Sequence, residues 1–167
     1  TSTTRTFTVD STGPVVLLDA TSLVKGGNES VDLTGTDTGN WIDNERIFSV
    51  AYDPDRDLIY LAGMDGLFGV YNASANVTSD LRATDPGNWI WTYNINSLAY
   101  DPSREVVYLI GENGKFGVYN ASTNVSFDLS ATDTGNWFGS TSMSSLVYDP
   151  DRDVVYLLGN SGLFGVY

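Results

Sequence analysis

The sequence predicts an all-β protein, an array of four-stranded antiparallel units made from a 48-residue repeat, and three observations predict it. Trp41, Trp89 and Trp137 stand 48 residues apart, as do Asp53, Asp101 and Asp149 within Y-D-P-x-R and Phe68, Phe116 and Phe164 within F-G-V-Y. Segments 80–119 and 128–167 are identical at 24 of 40 positions, which marks duplication rather than chance. No segment carries the apolar spacing of a helix, and β-branched and aromatic residues fill the strand-like runs.

The middle unit shows each element in order. Ser97-Leu98-Ala99-Tyr100 closes the first strand, a, and runs into Asp101-Pro102-Ser103-Arg104. Val106 to Ile110 is the second, b, apolar on both faces as a strand between two layers must be. Glu112-Asn113-Gly114 predicts a tight hairpin turn, with glycine free to take positive φ. Lys115 to Tyr119 is the third strand, c, and Asn120 to Asn124 a loop. Val125 to Ala131 alternates apolar and polar residues as a half-buried outer strand, d. Thr132 to Trp137 then turns the chain into the next unit.

Four strands in this length is the size of a propeller blade. The pattern Y-D-P-x-x-x-x-x-Y-x-x-G-x-x-G-x-F-G-V-Y resembles the blades of YVTN-type and related β-propellers of bacterial and archaeal surface proteins, over residues 31–167. The G-H and W-D signatures of WD repeats are absent. The turn T-D-x-G-N-W also resembles the Asp-box of sialidase propellers, S/T-x-D-x-G-x-T-W, with one residue fewer between glycine and tryptophan. The resemblance implies a β-propeller-like array; the box is a folding element even in sialidases and implies no catalysis.

The repeats divide the chain into residues 1–34, strands that complete a blade, then repeat 1 at 35–82, repeat 2 at 83–130 and an incomplete repeat 3 at 131–167, one structural domain overall. Val15 to Thr21 matches strand c and Val31 to Thr34 matches strand d, both without a and b, whereas the sequence stops after a third c strand at Tyr167. Closed propellers typically need four or more blades. Three blades would leave an open hydrophobic edge of the kind proteins normally hide. Two solutions are expected: the chain is a fragment, or it assembles with copies of itself head to tail, the N-terminal segment supplying missing strands. Such a contact closes into a ring or runs on as a filament.

Composition narrows the function. The 167 residues hold no histidine and no cysteine, which removes the commonest general base and every thiolate site. The formal charge of −13 rests on few cations, with Lys25 and Lys115 the two lysines. No basic stripe exists to displace the counterions of a nucleic acid. No apolar run reaches the 18 residues of a membrane span, and no leader pattern opens the chain. The acidity is read as turn chemistry and solubility, with a high-salt habitat or calcium binding as the sharper alternatives.

Three groups of residues are candidates for chemistry. In Asp53-Pro54-Asp55-Arg56-Asp57 and its copies, Asp is expected to accept backbone hydrogen bonds while the arginine pairs with its neighbours; a repeated cation site is the alternative, against which Ser103 stands in place of Asp55. Asp37, Asp85 and Asp133 with Trp41, Trp89 and Trp137 read as a turn whose tryptophan wedges between sheets, or as a sugar pocket of a multivalent lectin. Asn28, Asn72, Asn76, Asn120 and Asn124 open N-x-S/T sequons, and the last four recur as pairs in the c–d loop, where an exposed rim would suit glycans. The acids recur with the repeat, whereas an active site needs one asymmetric set, so no enzyme is expected. The expected function is an extracellular or cell-surface structural or adhesive module that binds copies of itself, with the lectin as the alternative.

Overall fold

The computed structural model describes residues 33, 38–39, 41–42, 45–87, 93–130, 132–135 and 137–167. Among these the chain is all β, in three antiparallel sheets within the unit Leu33–Tyr167. The first sheet is β1 (Ile47–Asp53), β2 (Leu58–Gly63), β3 (Phe68–Asn72) and β4 (Val77–Asp80), paired in that order. The second repeats it as β5 (Ile95–Asp101), β6 (Val106–Gly111), β7 (Phe116–Asn120) and β8 (Val125–Asp128). The third holds β9 (Met143–Asp149), β10 (Val154–Gly159) and β11 (Phe164–Val166), with β10 in the middle. Among the described residues the three sheets do not close into a ring. The expected N-terminal strands at 15–21 and 31–34 lie outside the described residues, apart from Leu33.

Local chemistry sets the turns. Between a and b, Asp53 Oδ1 accepts from the Asp55 and Arg56 amides at 3.0 and 3.2 Å. The following Asp57 enters its strand at φ 54°, a left-handed conformation that costs a residue with a Cβ. Between b and c, the Lys115 amide donates to the Glu112 carbonyl at 3.1 Å. Asn113 and Gly114 both take positive φ, 56° and 69°, the mirror-image turn that matches strand twist. Strand d is shorter than the alternation predicts: it stops at Asp128, not Ala131. There the Leu129 and Ser130 amides both turn onto the Phe116 carbonyl, and Asp128 Oδ1 accepts from the Ser130 amide, so the ladder cannot continue.

The sheets stack face to face, with strand a closest to strand a of its neighbour. The following-side face of the first sheet (Ala51, Tyr60, Ala62, Phe68) meets Leu98, Val107, Leu109 and Tyr119 of the second. The second repeats the arrangement against the third, with Tyr108, Ile110 and Phe116 against Leu146, Val155 and Leu157. Every residue of β6 is buried, as a strand covered on both sides requires. Burying such side chains drives the stacking, at about 1.5–3 kcal/mol for each large apolar group.

The outermost faces are different. Phe68 and Phe116 are 0% exposed, whereas Phe164, their counterpart in the third sheet, is 67% exposed. At the other end Val50 is 58% exposed, against 5% for its counterpart Leu98.

Candidate functional site

The repeated polar constellation of this molecule lies along the seams between sheets. Arg56 donates to Asp53 at 3.0 Å within its own turn, then crosses the seam to Glu105 at 2.6 Å and to the Tyr100 hydroxyl at 3.3 Å. Arg104 does the same, to Asp101 at 2.8 Å and to both oxygens of Asp153 at 2.5 Å. The pairing of arginine with its neighbours is therefore half of the arrangement; the other half reaches 49 residues along the chain. Residues 57, 105 and 153 carry Asp, Glu and Asp in the left-handed conformation, where glycine or asparagine would be easier. At 105 and 153 the carboxylate binds the guanidinium of the preceding sheet.

The electrostatics follow. The Ser122 hydroxyl and Arg56 hold the Glu105 carboxyl below its ordinary range, and Arg104 and the Tyr148 hydroxyl do so for Asp153. Burial pushes Asp101 up, but hydrogen bonds from Ser103 and Arg104 outweigh it and leave that carboxyl lowered. Burial, then the Asp53 charge, pushes the Tyr100 phenol up to about 12, so it stays neutral within the seam. A second recurring link is made by serine: the Leu98 amide donates to Ser49 Oγ at 3.0 Å, and the Leu146 amide to Ser97 Oγ at 3.1 Å. Aromatic pairs repeat too, Phe68 edge-on to Tyr119 at 5.0 Å and Phe116 to Tyr167 at 4.8 Å.

The T-D-x-G-N-W turn fastens the first two units to the outer strands of their own sheets, where the Thr38 amide donates to the Asn76 carbonyl at 3.1 Å and Asp85 reaches β8. Buried Asp85 accepts from the Gly87 and Ser126 amides at 2.9 Å each, and its other oxygen accepts from the Ser126 hydroxyl. Asp133 accepts from the Gly135 amide at 3.0 Å and is half-exposed. Trp41 and Trp137 are half-buried rather than deeply buried, and they lie over Gly69 and Gly165 of the F-G-V-Y strands. Trp137 also packs edge-on to Phe138 within the second seam. Asp37 and Trp89 lie outside the described residues.

The sequon asparagines are half-buried, and their side chains are engaged. Asn72 and Asn120 accept from backbone amides of their own loops, Ala75 at 2.9 Å and Ser122 at 3.0 Å. Asn76 and Asn124 take positive φ and accept from the Tyr71 and Tyr119 hydroxyls at 3.0 and 2.7 Å. Asn124 Nδ2, the atom a glycan would occupy, donates to the Thr84 carbonyl at 3.1 Å. Asn28 lies outside the described residues.

A groove of about 390 Å³ opens between the second and third sheets, floored by Tyr108, Val118, Tyr148 and Val155, with the Arg104–Asp153 pair in its wall. Among the described residues no three acidic side chains cluster as metal ligands would, and no helix is long and apolar enough to cross a membrane.

No family model matches the chain, and no curated protein does. Among solved structures it is similar to a chain in "Crystal structure of Nidogen/Laminin Complex", with a TM-score of 0.51 and 16% identity. The similarity covers 68% of this chain and 39% of that one, which is a β-propeller. At this identity the likeness is one of fold: stacked antiparallel sheets of three or four strands.

Proposed function

We propose that this chain is a non-enzymatic, extracellular or cell-surface structural or adhesive module: a β-propeller-like array of 48-residue blades that assembles head to tail with copies of itself. One observation carries the reading. The face around Phe164 and the face around Val50 are exposed, although in the interior the same two faces are buried against each other twice. Unpartnered apolar patches of this kind mark association surfaces. The edge supports it as well: β4 and β8 cover β3 and β7, whereas among the described residues β11 ends its sheet. Residues 31–34 of a neighbour would pair with the β11 edge by strand addition. Asp85, with both oxygens engaged by Gly87 of its turn and Ser126 of β8, supports the structural role of that motif over a lectin site.

The test is the mass of the intact chain in solution over a wide concentration range. A ring gives a fixed multiple of 18.1 kDa, and a filament gives growth without limit. A chain that stays at 18.1 kDa at every concentration refutes self-assembly.

A further inference from the structure

We infer that the contact between two copies is a third seam of the internal kind, in which Arg152 of one chain pairs with Asp57 of the next. This inference rests on the self-assembly reading and specifies its interface.

The two internal seams define what a seam requires. Each has an arginine reaching from the a–b turn of one sheet to the acid at the matching left-handed position of the next, Arg56 to Glu105 and Arg104 to Asp153. Each has a serine on strand a accepting a backbone amide from the next strand a. Each has a tyrosine of strand b beside a tyrosine of the next strand a, Tyr60 with Tyr100 and Tyr108 with Tyr148, both at 6.2 Å.

The outer face of the third sheet carries one half of this set. Arg152 holds Asp149 at 2.8 Å as its counterparts hold Asp53 and Asp101, but its side chain is 71% exposed and, among the described residues, bonds to no other sheet. Ser145 is the counterpart of Ser49 and Ser97 and is exposed, as are Val147, Leu158 and Phe164.

The outer face of the first sheet carries the other half. Asp57 takes φ 54°, the same left-handed conformation as Glu105 and Asp153. It accepts from the Tyr52 hydroxyl at 3.2 Å and the Ser74 hydroxyl at 2.6 Å, and no cation pairs with it among the described residues. Tyr52, bonded to it, and Val50 on the same strand stand exposed. Trp41 already lies over Gly69 on this sheet, as Trp137 lies over Gly165 inside the second seam. The first sheet is thus prepared as the third sheet is where it meets the second. By the 48-residue correspondence, a third seam of this kind would set Arg152 against Asp57 and Tyr52, the Val50 amide against Ser145 Oγ, and Tyr156 beside Tyr52. A second copy is the occupant whose chemistry matches all three positions at once.

The experiment is sedimentation of the intact chain and four variants: Arg152→Glu, Asp57→Lys, the two combined, and Phe164→Asp. Each is checked for a native spectrum, and all changed side chains are at least partly exposed. Each single reversal puts like charges together and weakens association about tenfold. The combined variant restores the pair with its charges exchanged, and with it most of the lost affinity, although it still carries a lysine at the left-handed position. Phe164→Asp abolishes association. Assembly that ignores all four changes overturns this seam while leaving self-assembly standing. Single variants that weaken without recovery in the combination overturn the Arg152–Asp57 pairing. A chain monomeric at every concentration overturns both.

Discussion

A Cβ placed on Gly69 would fall 1.9 Å from Cζ2 of Trp41, so the indole occupies the space any side chain at position 69 would need. The same relationship holds between Gly165 and Trp137, at 2.3 Å. It explains why the second residue of F-G-V-Y is glycine although its φ is not left-handed: the requirement is room.

Gly69→Ala is therefore expected to destabilise the first sheet by about 1–3 kcal/mol, the range for forcing extra volume into a packed site. The clash is with the indole and also with the Ser79 carbonyl oxygen, 2.5 Å away, so Trp41→Ala, itself destabilising, should remove the part of the added penalty that the indole causes. Denaturant unfolding of the two single variants and the double one measures this. Strictly additive losses would show that the contact is not what makes position 69 intolerant.

Asp85 and Asp133 occupy the same place in successive repeats but are not equally buried. Asp85→Ala strips the buried Ser126 amide and hydroxyl of their acceptor and should cost about 2–4 kcal/mol. Asp133→Ala, at a half-exposed turn, should cost less than about 1 kcal/mol. Equal losses at the two sites would refute the role given to the Ser126 clamp.

The seams should loosen in acid. Glu105 and Asp153 have folded pKa values below their ordinary 4.5 and 3.8, so the unfolded chain binds protons first as pH falls. Their contribution is whole above the ordinary values and is lost as pH drops through the lower folded ones. Stability should be level from neutral pH to about 5 and fall below about 4. Exchanging both groups for their amides, Glu105→Gln with Asp153→Asn, should flatten part of that fall. An acid limb unchanged in this variant would assign it to other carboxyls.

Much of the fold was legible because strands announce themselves locally. Period, Asx chemistry at Asp53 and Asp101, and Asn113-Gly114 in its turn all act within a few residues. What was not legible depends on which strand faces which. The reach of Arg56 to Glu105 spans two sheets, and no local pattern reports the spacing between layers. The signal was present at positions 57, 105 and 153, where an acid recurs at a site suited to glycine; it becomes readable once φ is known. Asn76 and Asn124 show the converse. Their sequon motif is a matter of neighbours, but their side chains hold tyrosine hydroxyls, so a structural demand alone accounts for asparagine there.

Because every sheet offers an arginine and a phenylalanine on one side and an acid and an aliphatic strand-a residue on the other, the stack has a direction. Any newly copied repeat arrives already fitted to both neighbours. Its length can then change by unequal crossing-over within the gene, one 48-residue cassette at a time, without a surface having to be reinvented. In such a lineage the number of blades is the easily altered character, and the residues at the seam are the ones that resist drift.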